Sequence, residues 1–161
     1  MQTSIPAMTV MVNRSISPER VLRSMGRVLH VDSSVVATMP RGGGGIAAVT
    51  VVFFNLGFIA NSESVAQEYD RRFLIPDPYA LIAVNLANPG LVDTFSNGTQ
   101  WQDNQGFWCF VNFTVTDGKR VVNAYRRMID WYDDWYFGGV RKSDGLPGRS
   151  LENRRSRPPG W

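Results

Sequence analysis

The chain has 161 residues, a formal net charge of +3 and 43% hydrophobic residues, which is typical of a single folded domain and excludes an intrinsically disordered protein. It has no run of about 18 uncharged apolar residues, so no transmembrane helix is predicted, and residues 1–16 lack the pattern of a secretory signal. A single cysteine, Cys109, excludes an intramolecular disulfide. We therefore expect an intracellular protein of the cytoplasm or nucleus, and not a secreted one.

The positive charge is concentrated at one end of the chain. Residues 141–161 contain six basic and two acidic side chains, whereas the other 140 residues contain 11 basic and 12 acidic ones. The sequence therefore predicts a leader over residues 1–7, one nearly neutral domain over residues 8–140, and an Arg/Pro/Gly-rich tail over residues 141–161 without a core of its own. Within the tail, four arginines are candidates for contacts with partner carboxylates or phosphates: Arg149, Arg154, Arg155 and Arg157.

The first half of the domain alternates between predicted strands and helices. Ser17 is a candidate N-cap, with Pro18 at the first position of a helix whose apolar stripe runs to Leu29. A second helix is predicted to begin near Asn61 and to end before Pro76. Period-2 patterns or β-branched runs predict four strands, and the second and third of these form a hairpin with a glycine-rich loop: residues 9–13, 35–39, 46–54 and 79–84.

The second half adds a predicted strand–helix unit over about residues 104–138. Apolar residues alternate over residues 107–115, and Asp117-Gly118 has the composition of a turn. Residues 120–137 carry apolar residues at helical spacing, and Gly138-Gly139 is interpreted as the end of that helix. Asn88 to Gly106 is predicted to be rich in turns.

The order strand, helix, strand, strand, helix, strand over residues 9–84 is typical of a split βαβ, or ferredoxin-like, arrangement. The predicted fold class is therefore α+β, with an antiparallel sheet and helices packed on one face. This order also resembles the RNA recognition motif, whose third strand carries exposed rings that stack on bases. Here, depending on register, that strand offers Ala48 and Thr50 or Val49 and Val51 at those positions, so the rings are missing from the RRM-like part, about residues 9–86.

Five short motifs follow one another along the chain: Ile5-Pro6, Ser17-Pro18-Glu19-Arg20, Val31-Asp32, Phe110-Val111-Asn112-Phe113 and Tyr132-Asp133-Asp134-Trp135-Tyr136-Phe137. In this order they resemble motifs of some RRM-like proteins of large eukaryotic DNA viruses. This resemblance implies a non-enzymatic viral protein that is a minor component of the particle or is otherwise found in the virion.

Aromatic side chains are concentrated in the predicted second-half helix. Rings at consecutive helical positions cover more than one face, so some of them require a partner outside the domain core, and exposed aromatic surface commonly marks a contact site. The first hypothesis is a non-catalytic structural protein that docks into a larger assembly of protein partners, including copies of itself. Its candidate interface residues are Trp131, Tyr132, Trp135, Tyr136, Phe137 and Trp161. The alternative for these rings is that the tail, with Trp161, folds back over them.

A second hypothesis is a single-stranded nucleic-acid-binding module that uses Trp101, Trp108 or Phe110 as stacking platforms and the tail as an electrostatic aid. Catalysis is the third and weakest hypothesis. Asp130, Asp133 and Asp134 would share one helical face and could hold a divalent cation, but the favoured interpretation is a solvated acidic face that pairs with Arg126 and Arg127 a turn earlier. We predict no enzyme activity, no catalytic residues, no metal site and no cofactor.

Overall fold

The computed structural model describes residues 4–127 and 129–142, which form an α+β fold. None of the helices in these two ranges is long and apolar enough to cross a membrane. In chain order the elements are β1 (Met8–Asn13), α1 (Pro18–Ser24), β2 (Val28–Val31), α2 (Ser33–Val36), β3 (Ile46–Asn55), β4 (Ala60–Asn61), α3 (Ser62–Arg71), β5 (Leu74–Pro76), α4 (Pro78–Ala87), α5 (Leu91–Thr94), β6 (Asn97–Gln102), β7 (Trp108–Thr116), β8 (Lys119–Arg126), β9 (Asp130–Trp131) and β10 (Tyr136–Arg141).

Eight strands form one mixed sheet in the order β1-β3-β10-β6-β7-β8-β2, with β5 also paired to β10. β2 runs parallel to β8 and β6 runs parallel to β10, and the other pairs are antiparallel. β4 and β9 form a separate two-stranded sheet. The α+β class is confirmed. The ferredoxin-like or RRM-like topology is not, because the sheet has eight strands in a mixed order.

The two faces of the main sheet are covered differently, and we call them the helix face and the groove face. Since side chains alternate along each strand, Val10, Val51 and Val140 point to the helix face. There they pack with the apolar helix α4, in which Leu81 is completely buried. On the groove face, α3 and the segment around β9 cover the middle of the sheet with a second, aromatic core that contains Tyr69.

Two adjacent glycines in β10 let the chain pack closely on both faces of the sheet. A Cβ atom on Gly138 would lie 2.7 Å from Cδ1 of Leu81 in α4, and one on Gly139 would lie 2.9 Å from Cε1 of Tyr69 in α3. The Tyr69 hydroxyl donates to the Gly138 carbonyl oxygen at 2.8 Å. The prediction that Gly138-Gly139 ends a helix is therefore wrong, because these glycines lie within a central strand.

The helix predicted over residues 120–137 is also wrong. Asp117 and Gly118 both have positive φ, 53° and 74°, and join β7 to β8 in a tight hairpin in which Thr116 lies opposite Lys119. Turns of this kind match the twist of two antiparallel strands, so the chain continues as β8 and not as a helix. β9 and β10 then follow on the same segment.

Three further predictions in the first half are corrected. Residues 79–84, predicted to be a strand, lie in α4, which Asp77 caps through its side chain and Pro78 begins. Residues 35–39 belong to α2 and the turn after it, so no hairpin forms with β3, which pairs with β1 and β10. The first helix ends at Ser24, and Leu29 lies in β2. Long apolar runs do not distinguish buried helices from buried strands, which explains the first error.

Other local signals are confirmed. Ser17 caps α1 through a side-chain hydrogen bond to the Arg20 backbone N–H, and Asn61 caps α3 through the Ser64 N–H. The strands β1, β3 and β7 occur where they were predicted. Most of the predicted tail lies outside the described residues, which include only Arg141 and Lys142 of it.

Candidate interaction surface: an aromatic groove

An open groove of about 580 Å³ lies on the groove face, where the aromatic core ends and the sheet becomes accessible. Its floor is formed by β7 and β8, and its wall by the segment that joins β8 to β10. The side chains of the floor are Phe110, Asn112, Asn123 and Tyr125. We call this feature the aromatic groove.

Strand pairing explains why these four floor side chains lie together. Phe110 lies opposite Tyr125, and Asn112 lies opposite Asn123, on neighbouring antiparallel strands. The Asn123 Nδ2 group donates to Asn112 Oδ1 at 2.9 Å. Asn112 Nδ2 and Asn123 Oδ1 make no hydrogen bond to any described residue, so the floor offers one amide donor and one acceptor beside two rings.

Trp131 anchors the wall of the groove. It is 1% exposed, and its Nε1 donates to Gln100 Oε1 at 3.0 Å. The Gln100 Nε2 donates in turn to the Ser62 carbonyl oxygen at 2.7 Å, which satisfies the buried amide at both ends. Gly98 makes room for the indole, because a Cβ atom there would lie 2.8 Å from Trp131 Cη2.

Backbone contacts hold the rest of the wall in place. Asn55 Nδ2 donates to the carbonyl oxygens of Asp133 and Trp135, both at 2.8 Å. Ala60 in β4 pairs with Trp131 in β9. These contacts tie the wall to β3 and β4.

Large apolar side chains are exposed along the rim of the groove. Tyr132 is 63% exposed, Phe58 is 53% exposed and Ile59 is 61% exposed. Since Ala60 lies opposite Trp131, the antiparallel register brings Ile59 next to Tyr132. Tyr125 on the floor is 37% exposed. Tyr125 and Tyr132 line the groove and Ile59 lies beside Tyr132, so exposed apolar side chains border the groove, and surfaces of this kind mark contact sites.

The rim is acidic. Residues 127–135 contain Arg127 and three aspartates, Asp130, Asp133 and Asp134, and all four side chains are exposed. None of them forms an ion pair with another residue in the described ranges. The prediction that the aspartates share a helical face is wrong, because Asp130 lies in β9 and the other two lie in a turn. Within the described part of the chain, no three His, Cys, Asp or Glu side chains are grouped as metal ligands.

The predicted interface residues are distributed between core and surface. Trp131 and Phe137 are buried in the aromatic core, and Trp135 is half-buried against Trp131. Tyr136 is half-buried on the helix face, where its ring packs on Phe95. Tyr132 is exposed. Trp161 and the four arginines Arg149, Arg154, Arg155 and Arg157 lie outside the described residues.

The three predicted stacking residues also lie in different parts of the structure. Trp101 is buried on the helix face, where its Nε1 donates to Thr38 Oγ1. Trp108 is half-buried and donates from Nε1 to Glu63 Oε1 at 3.2 Å. Of the three, only Phe110 lines the groove, where Tyr125 and Trp131 pack against its ring.

Four surface residues were missed at the sequence level: Asn112, Asn123, Tyr125 and Phe58. The first three follow from one signal, the Asp117-Gly118 hairpin turn. Pairing the strands outward from that turn places Asn112 opposite Asn123 and Phe110 opposite Tyr125. No comparable local signal identifies Phe58, whose exposure depends on how the loop before β4 meets the wall.

The single cysteine, Cys109, lies away from the groove lining. Cys109 is fully buried, and burial raises the pKa of its thiol, which disfavours the reactive thiolate.

No protein family, curated protein or solved structure matches the chain.

Proposed function

We propose that this protein is a non-catalytic interaction protein that docks into a larger assembly through the aromatic groove and its rim. The observation that carries the proposal is the exposure of Tyr132, Phe58 and Ile59 beside a wall that hydrogen bonds from Asn55 and Trp131 hold in place. Exposing large apolar side chains on a preformed surface is unfavourable in water, and contact with a partner removes that cost.

The composition of the groove favours a protein partner. Protein interfaces are enriched in Tyr and Trp, which combine apolar area with a polar group, and Tyr132, Tyr125 and Trp135 provide both here. The unpaired amide groups of Asn112 and Asn123 could bind the backbone of an extended segment. In this proposal the groove replaces the aromatic helix as the docking surface.

The charge of the rim argues against nucleic acid as the first choice. Three exposed aspartates outnumber the single arginine over residues 127–135, and phosphate groups are repelled by such a surface. A specific observation still keeps single-stranded nucleic acid as a second candidate, since the rings of Tyr125 and Tyr132 are accessible for stacking. The resemblance to RRM-like viral proteins favours a virus particle as the assembly, with the chain as a minor component.

The experiment is the mass of the purified full-length protein by light scattering over a range of concentrations, with and without a short single-stranded oligonucleotide. We expect association that increases with protein concentration and ignores the oligonucleotide. Tyr132→Ala should weaken the association. Phe107→Ala is the matched control, because Phe107 is 54% exposed but lies in the β6–β7 hairpin, outside the groove lining. A monomer that binds one oligonucleotide with a steep salt dependence would contradict the proposal and favour nucleic-acid binding.

A further inference from the structure

We infer that the occupant of the aromatic groove is the arginine- and proline-rich segment 149–161 of a second copy of this chain. This inference rests on the proposed function and names its partner. The segment, which we call the arm, follows the described residues and ends in Arg154-Arg155-Ser156-Arg157-Pro158-Pro159-Gly160-Trp161.

The positive charge of the arm is complementary to the negative charge of the groove and its rim. Residues 149–161 contain four arginines and one glutamate, whereas the groove and its rim contain Asp130, Asp133 and Asp134 against Arg127. None of these three carboxylates is engaged by a cation among the residues that the structure describes. A guanidinium binds a carboxylate through two parallel hydrogen bonds and stacks on aromatic rings, so arginine suits an aromatic groove with an acidic rim.

The backbone chemistry of the arm fits the floor of the groove. Pro158-Pro159 favours the polyproline II conformation, which has no internal hydrogen bonds and leaves its carbonyl groups available. Proline-rich segments dock into aromatic-lined grooves because the extended conformation is already formed and little entropy is lost. Tyr125, Tyr132 and Trp135 supply the rings, and Asn112 Nδ2 supplies a donor for a carbonyl of the segment.

The exposed rim favours a second copy over the chain's own arm. An arm of thirteen residues is long enough to cover the groove, but Phe58 and Ile59 are exposed outside the groove lining. A second copy brings its folded part together with its arm, and so buries this outer surface in the same contact. Residues 143–148 separate Lys142 from the arm and can span about 20 Å when extended, which gives the arm room to reach a neighbour.

The test uses three full-length proteins and measures the mass by light scattering. The groove variant carries Tyr132→Ala and Asp130→Asn, both at exposed side chains, so its fold should be intact. The arm variant carries Arg154→Ser, Arg155→Ser and Arg157→Ser. Each variant alone should associate at least about tenfold more weakly than the unaltered chain. An equimolar mixture should recover a heterodimer, because the groove variant supplies an arm and the arm variant supplies a groove.

The outcomes separate the inference from the proposed function. If the arm variant associates like the unaltered chain while the groove variant does not, the groove is an interface but the arm is not its occupant. If both variants lose association and their mixture stays monomeric, docking of the arm on a second copy is overturned. If the groove variant associates normally, the inference and the proposed function fail together. A synthetic peptide of residues 149–161 should lower the mass of the unaltered chain, and the same peptide with serine at the three arginine positions should not.

Discussion

The two faces of the central sheet bury apolar surface in different ways. On the helix face, aliphatic side chains of the almost wholly apolar helix α4, such as Leu81 and Ile82, pack against the sheet. On the groove face, Trp131 and Phe137 pack with Tyr69, and buried polar groups such as Gln100 connect the aromatic rings to the backbone. That core stops at Phe110, and the sheet beyond it is accessible.

This difference suggests that one face mainly contributes stability and the other provides an interaction surface. An aliphatic core gains stability from tight packing, and any opening in it leaves a cavity. Aromatic side chains with hydrogen-bonding groups can end at a surface, because each presents both an apolar body and a polar group. We therefore expect substitutions on the helix face to change stability, and exposed substitutions on the groove face to change association.

On the helix face, a large loss of stability is expected from Leu81→Ala. Leu81 is 0% exposed, and its replacement removes buried methyl groups and leaves a cavity, so the free energy of unfolding should fall by about 3 kcal/mol. Chemical denaturation followed by circular dichroism measures this loss. Leu86→Ala in the same helix is the control, since Leu86 is 43% exposed and should cost much less. Equal losses for the two variants would contradict the described packing of α4.

A smaller loss is expected from Gln100→Met on the groove face. The substitution keeps the side-chain length but leaves the Trp131 Nε1 group and the Ser62 carbonyl oxygen without their partner. The free energy of unfolding should fall by about 2 kcal/mol. Gln102→Met provides the control in the same strand, because Gln102 is exposed and its hydrogen bond to Gly106 is accessible to water. A neutral Gln100→Met would mean that the buried network does not support the wall.

Tyr69 in the aromatic core should make the free energy of unfolding depend on pH. Burial raises the pKa of Tyr69 above its ordinary value of 10.0, although the hydrogen bond with Thr99 opposes this. The folded state therefore keeps a proton that the unfolded state releases, so the stabilising contribution is complete below pH 10 and is lost as the pH rises above it. The unfolding free energy should fall by up to about 1.4 kcal/mol per pH unit in that range.

Denaturation midpoints measured between pH 8 and about pH 11 would detect this slope, which begins near the ordinary tyrosine pKa of about 10. The control is Tyr69→Phe, which removes the titrating group together with its hydrogen bond to the Gly138 carbonyl oxygen. That variant should be less stable at neutral pH but should lose stability less steeply in alkali. Parallel curves for the two proteins would show that Tyr69 is not the group responsible.

The smallest change in stability is expected from Tyr132→Ala. Its ring is 63% exposed, so the unfolding free energy should change by less than about 0.5 kcal/mol, although association should weaken. Trp131→Ala, one residue earlier and 1% exposed, should cost about 4 kcal/mol by the same measurement. A large loss of stability for Tyr132→Ala would place that ring in the core and remove it from the proposed interface.

The sequence predicts those elements whose signals are local. Ser17 with Pro18, and Asn61 with the stripe of Val65 and Tyr69, define the starts of α1 and α3, because a cap and an amphipathic pattern need no distant partner. The strands β1, β3 and β7 were likewise predicted from residue type and alternation.

The errors arise where two periodicities compete. Residues 79–84 are apolar at nearly every position, and only the Asp77-Pro78 capping signal distinguishes the observed helix from a strand. In residues 120–137, apolar side chains satisfy both helical and strand spacing, and the Asp117-Gly118 hairpin turn decides between them. Gly138-Gly139 was read as a helix end, because its real reason, the close approach of α3 and α4, is a tertiary contact.

The candidate site was predicted only in part. The concentration of rings near Trp131 and Tyr132 is visible in the sequence. Which of them is exposed depends on which alternating side chains of β9 and β10 point into the core. The rim of the groove requires two distant segments to meet, since Ile59 lies beside Tyr132 only through the pairing of β4 with β9. No pattern within a single segment contains that information.

Hydrogen exchange of the full-length protein, measured below and above the concentration at which it associates, tests the central claim most directly. Docking at the aromatic groove predicts that association slows exchange in residues 56–59 and 125–135 and leaves α4 on the helix face unchanged. Association accompanied by new protection in α4 or along β1, with residues 56–59 and 125–135 unchanged, would contradict the account.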